Sequence, residues 1–78
     1  MAKILIIDDE QSIRKTLREI LEYEKYKVDE AADGAEGLLK IKDGKYDVAL
    51  LDIKMPKMDG MEVLERAVIL APDLPIIM

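Results

Sequence analysis

The 78-residue sequence contains no cysteine and no histidine. Disulfides, thiolate zinc sites, imidazole metal ligands and every histidine-assisted nucleophile are thereby excluded. Any chemistry must run on carboxylates, amines and hydroxyls. Long apolar runs are missing too: the opening stretch MAKILIID carries Lys3 and reaches two aspartates after four apolar residues. That is too short for a signal-peptide core or a membrane span, so the expectation is a cytoplasmic location and no membrane partner. Basic charge is in deficit, with 12 Lys and Arg against 17 Asp and Glu and a net charge of -5. This argues against direct nucleic-acid contact by the segment. No internal repeat, low-complexity tract or linker composition is present.

What remains is a globular composition, half hydrophobic and too short for two ordinary domains. The run Ile4-Leu5-Ile6-Ile7 is short, β-branched and non-alternating, as expected of a parallel strand covered on both faces, and it ends at Asp8-Asp9. From Ser12 to Tyr23, Ile13, Leu17, Ile20 and Leu21 fall on one helical stripe, which predicts an amphipathic helix packed on a sheet. Tyr26 to Ala31 alternates and is more charged, which predicts a strand near an edge, with Tyr23 and Tyr26 covering that edge. Asp33 is placed to cap a second helix, and Gly44 to end it in a left-handed turn. Val48 to Leu51 is another short buried run, again closed by an aspartate, Asp52. A loop from Ile53 to Asp59 leads to a helix from about Gly60 to Leu70, Pro72 and Pro75 bracket its exit, and Ile76-Ile77-Met78 reads as a fourth strand. Met55, Met58 and Met61 are expected to serve packing.

The order βαβαβαβ, with helix-length connections, implies parallel strands joined by right-handed crossovers in an α/β doubly wound sheet. Ligands of such sheets bind beyond the carboxyl ends of the strands, where Asp8, Asp9 and Asp52 fall. Asp8 or Asp9 alone reads equally well as turn or helix-cap chemistry, and Asp52 at an equivalent strand end weakens that reading. Two strands that each end in aspartate, if adjacent at about 4.8 Å spacing, would bring three carboxylates together. Their repulsion calls for a counter-charge, and a hard divalent ion such as Mg²⁺ suits an all-oxygen site.

The sequence resembles the receiver domain of two-component response regulators over essentially its whole length. The resemblance lies in KILIIDDE at residues 3–10, IRKTLREIL at 13–21, AADGAEGL at 31–38 and DVALLDIKMPKMDGMEVL at 47–64. An acidic pair, a strand-end aspartate and a following MP-x-MDG at these separations form a specific combination. The resemblance implies a flavodoxin-like fold in which Asp52 is the phosphoacceptor, Asp9 a direct Mg²⁺ ligand, Asp8 a ligand or water-mediated anchor, and Lys54 the donor of a backbone carbonyl to the metal. It also implies a sensor histidine kinase as partner. Receiver domains catalyse their own phosphorylation and dephosphorylation without being classed as turnover enzymes.

In the family the fold continues past a fourth strand, with a hydroxyl residue and a lysine that contact the phosphoryl group. Residues 1–78 are therefore expected to form an incomplete receiver domain, truncated after the fourth strand, whose phosphoryl transfer is impaired and whose open sheet edge at Ile76-Ile77-Met78 favours a homodimer. A non-catalytic, self-associating receiver segment is the alternative. A phosphatase or dehalogenase with a strand-end aspartate nucleophile fits less well, because its second acid would stand where this chain has Lys54.

Overall fold

The computed structural model describes all 78 residues. Four strands, β1 (Lys3–Ile7), β2 (Lys27–Ala31), β3 (Val48–Leu51) and β4 (Ile76–Ile77), alternate with three helices, α1 (Gln11–Tyr23), α2 (Gly34–Asp43) and α3 (Gly60–Leu70). All pairings are parallel and the strand order is β2-β1-β3-β4. The chain winds outward from β1 to β2, then back across β1 to β3. The point of reversal thus lies between β1 and β3.

The apolar run of β1 is continuous because both of its faces are covered. Leu5 and Ile7 join Ala49, Leu51, Ile41 of α2 and Val63 and Ala67 of α3 in the larger core cluster. Ile4 and Ile6 point the other way and, with Val28, meet Leu17 and Leu21 of α1. The two-residue side-chain alternation of a strand divides the run between these layers. Of the four apolar residues expected on the inward stripe of α1, only Leu17 and Leu21 pack against the sheet cluster, whereas Ile13 and Ile20 are exposed.

Helix termini follow side-chain chemistry. Asp33 accepts from the Glu36 amide at 2.8 Å as predicted, and Asp59 caps α3 by accepting from the Glu62 amide at 3.0 Å. Gly44 departs from the expected left-handed turn: its φ of -99° and ψ of 170° are extended. Glycine is required there for space, since a Cβ would lie 2.6 Å from the Tyr46 ring and 2.8 Å from the Lys40 carbonyl. The left-handed stop instead follows α1, where Lys25 has φ 74°. The Lys25 amide donates to the Glu22 carbonyl and that of Tyr26 to the Leu21 carbonyl, a Schellman ending built without glycine. Tyr23, expected to cover the sheet edge, is instead 84% exposed at the last position of α1. Among the methionines Met55 is buried and Met58 packs against the core, but Met61 is half exposed.

At the amino ends of the strands the Tyr46 hydroxyl donates to Asp29 at 2.7 Å, the Lys3 ammonium lies 4.8 Å from the Tyr46 ring centre, and the Lys3 amide donates to Asp47. Burial, reinforced by the Asp29 carboxylate, pushes the Tyr46 phenol up to about 12. These contacts tie β1, β2 and the entry to β3 together at one end. The carboxyl ends are left for the acidic residues.

Candidate functional site

Register alone brings the acidic residues together. Ile7 pairs with Leu51, so the next residues, Asp8 and Asp52, leave adjacent strands at the same level. The backbone keeps them there: the Asp8 amide donates to the Ala31 carbonyl at 3.1 Å, and the Asp52 amide to that of Ile7 at 2.9 Å. Carboxylate oxygens of Asp8, Asp9 and Asp52 lie within 4.8 Å of one another. Asp8 is buried, Asp52 half-buried and Asp9 exposed, which grades the cluster from the sheet interior to solvent.

Asp8 makes the turn contact expected of an aspartate at a strand end. One of its oxygens, Oδ1, accepts from the Glu10 amide at 2.9 Å and so shapes the turn into α1, whose own N-cap residue, Glu10, makes no side-chain cap. Its other oxygen makes no protein hydrogen bond. Asp52 borders an open cavity of about 470 Å³ with Glu10, Leu51, Ile53, Lys54 and Met78. Lys54 is exposed and forms no ion pair.

The loop between β3 and α3 is fixed at several points. Met55 is buried, Asp59 caps the helix, and the Gly60 amide donates to the Ile53 carbonyl at 2.7 Å. Gly60 has to be glycine because a Cβ would come within 2.4 Å of the Asp52 carbonyl oxygen and 2.6 Å of the Ile53 Cα. Lys57 sits at φ 71°, a strained choice for a residue with a side chain.

The donor set is wholly carboxylate and contains no nitrogen or sulfur, which suits Mg²⁺ or Mn²⁺ over softer metals. Its 4.8 Å spread is close to the separation of about 4 Å between opposite oxygens on one Mg²⁺ ion. Helical spacing sets Arg14 off the apolar stripe of α1, among the charged residues of its polar face. In the structure its guanidinium reaches the Asp8 carbonyl, a contact signalled only by the six-residue separation between a strand end and the first turn of the following helix.

A family model described as response regulator receiver domain matches residues 4–78. The transcriptional regulatory protein ResD of Bacillus subtilis is 48% identical over 64 residues, covering 82% of this chain and 27% of its own length. Response regulator MprA of Mycobacterium sp. (strain KMS) is 39% identical over 75 residues, covering 96% of this chain and 33% of its own length. The chain thus spans about a third of the length of the curated relatives it matches. Among solved structures, a CheY-like receiver domain protein from Methanospirillum hungatei superposes with a TM-score of 0.95 at 43% identity, over 97% of this chain and 61% of that one. Response regulator TrrA of Thermotoga maritima, in complex with Mg²⁺-BeF, gives 0.93 at 42% identity over 97% of this chain and 66% of its own. TrrA in complex with the histidine kinase ThkA gives 0.91 over the same shares. No helix is long and apolar enough to cross a membrane.

Proposed function

This chain belongs to the response regulator receiver domain family, and on that premise we propose that Asp52 is its phosphoacceptor, served by Mg²⁺ held by Asp8, Asp9, Asp52 and the Lys54 backbone carbonyl. The observation that carries the reading is the convergence of three carboxylates at the strand-order reversal. The Asp52 carboxylate is the nucleophile: one of its oxygens forms a bond to phosphorus as the bond to the donor breaks, leaving an acyl phosphate on the chain. With a histidine kinase as donor, the broken bond is phosphorus to imidazole nitrogen, and the imidazole regains its electron pair. When bound, the metal supplies positive charge that offsets the anionic groups meeting at the site. Asp8, held in its turn by the Glu10 amide, and the close Gly60 contact fix the carboxylates before the donor arrives. A cytoplasmic signalling role with a sensor histidine kinase as partner follows from this reading.

Calorimetric titration with Mn²⁺ tests the site. Weak binding by the wild type and none by the Asp9→Ala, Asp52→Asn double variant is the expected result, and unchanged binding in that variant overturns it. Phosphoryl label from acetyl phosphate, however slowly it accumulates, maps to Asp52 and disappears in Asp52→Asn. Label that persists there removes the nucleophile assignment.

A further inference from the structure

Arg14 is the only side chain that links the neighbouring strand β2 to the acidic site. Its Nη1 donates to the Asp8 carbonyl at 2.6 Å, while its Nε donates to Glu30 Oε1 at 3.0 Å. Glu30 lies on β2, beside Ile6 in the register and two residues short of the level of Asp8. It is itself held from three directions: Arg18 engages its second carboxylate oxygen, Arg14 the first, and Lys40 of α2 donates to its backbone carbonyl. The guanidinium plane of Arg14 is therefore set by a partner that is set by two further cations. Only 13% of the Arg14 side chain is exposed.

The consequence falls on Asp8. Its amide is bound to the Ala31 carbonyl, its Oδ1 to the Glu10 amide and its carbonyl to Arg14, so every part of the residue except one carboxylate oxygen is committed. We propose that Arg14 is a positioning residue for the carboxylate site, fixing the Asp8-Asp9 peptide so that both carboxylates face Asp52 before a cation binds. This rests on the metal reading above and extends it to a residue that touches no metal. Partners outside the ligand set commonly change metal affinity by about tenfold or more.

A different role for the same cation would be to screen the cluster electrostatically, and the two roles predict opposite signs. A screening cation competes with Mn²⁺, so its removal should tighten binding. A positioning fork is lost in Arg14→Gln and in Arg14→Lys alike, because lysine keeps the charge but cannot hold Glu30 and the Asp8 carbonyl in one plane. Arg18→Gln is the control, since it removes a neighbouring contact to Glu30 without touching Asp8.

The experiment measures Mn²⁺ affinity, thermal midpoint and metal-free exchange of the Glu10 amide, which is bonded to Asp8 Oδ1, for the wild-type chain and these three variants. Expected are a roughly tenfold loss of affinity in both Arg14 variants, faster exchange at Glu10 in the same two, and a clearly smaller loss in Arg18→Gln, where Arg14 and Lys40 still hold Glu30. Wild-type affinity in Arg14→Lys, tighter binding in Arg14→Gln, or an equal loss in Arg18→Gln each overturns the proposal. A wild-type chain that takes up no Mn²⁺ overturns the metal reading and the positioning role together. Wild-type binding with unaltered Arg14 variants removes the positioning role alone.

Discussion

Replacing Gly60 by alanine tests how the loop after β3 holds the site together. The added methyl group would sit 2.4 Å from the Asp52 carbonyl oxygen and 2.6 Å from the Ile53 Cα. Both are backbone atoms of the residues that present the proposed nucleophile, so no side-chain rotation relieves the clash. To restore ordinary van der Waals contact the two backbone segments must part by about 1 Å. The hydrogen bond from the Gly60 amide to the Ile53 carbonyl, 2.7 Å long, is stretched or lost in doing so.

Loss of that bond costs about 1 kcal/mol, and forcing a methyl group into a packed site costs about 1–3 kcal/mol more. Against this, alanine at the helix start lowers the entropy of the unfolded chain and recovers about 0.4–1 kcal/mol. A net destabilisation of about 2 kcal/mol results, which lowers the thermal midpoint of a domain this size by roughly 10 °C. The same shift moves Asp52 relative to Asp8 and Asp9, so the stabilisation that Mn²⁺ gives the wild type should be reduced in the variant. Thermal melts with and without Mn²⁺ measure both effects. A Gly60→Ala chain that melts within 2 °C of wild type, on the order of a quarter of a kcal/mol, with undiminished Mn²⁺ stabilisation would refute this account of the loop.

Lys57→Gly relieves the strain of a side chain at φ 71°; a left-handed residue costs about 1–2 kcal/mol, partly offset by glycine's greater unfolded entropy, so urea denaturation should show a gain of up to about 1 kcal/mol, and a loss would refute the strain. Hydrogen bonds from Arg18 and Arg14 hold the Glu30 carboxyl below the usual carboxylate range. Its stabilising contribution is therefore present above the ordinary pKa of 4.5 and is lost as pH falls through the lowered folded value. Wild type should exceed Glu30→Gln by about 1 kcal/mol at neutral pH, with the gap closing in acid, and a gap constant to pH 3, roughly an acidic-limb endpoint below the free carboxylate value, contradicts the assignment.

Most of the fold was legible because β1 and β3 carry unbroken apolar runs that admit one arrangement, a strand with a layer on each face. Strand order was not: right-handed crossovers admit more than one order, and the adjacency of β1 and β3 stood only as the condition for the three carboxylates to meet. The misreadings share a physical origin. Glycine permits the left-handed stop expected at Gly44, but here it is needed to make room for Tyr46 and the Lys40 carbonyl. Lys25 and Lys57 adopt the left-handed conformation without being glycine, under tertiary constraint that composition does not encode. Ile13 and Ile20 match helical spacing, yet periodicity says which face a residue shares and not whether anything covers it.

At the site, the three aspartates were legible and their support was not. Each aspartate closes an apolar run, so its position at a strand end is written locally, and adjacency of the two strands does the rest. Arg14 lies one turn into α1, among charged residues that helical spacing assigns to solvent, and nothing local separates it from Lys15 or Arg18. What distinguishes it is the coincidence of two non-local facts: β2 pairs with β1 in a register that sets Glu30 beside Ile6, and the turn at Asp8 leaves that residue's carbonyl within reach of the first helical turn. Both depend on residues 16 and 6 positions away in sequence. Residues that present chemistry can therefore be found by where a strand stops, whereas residues that hold the chemistry in place require the sheet register first.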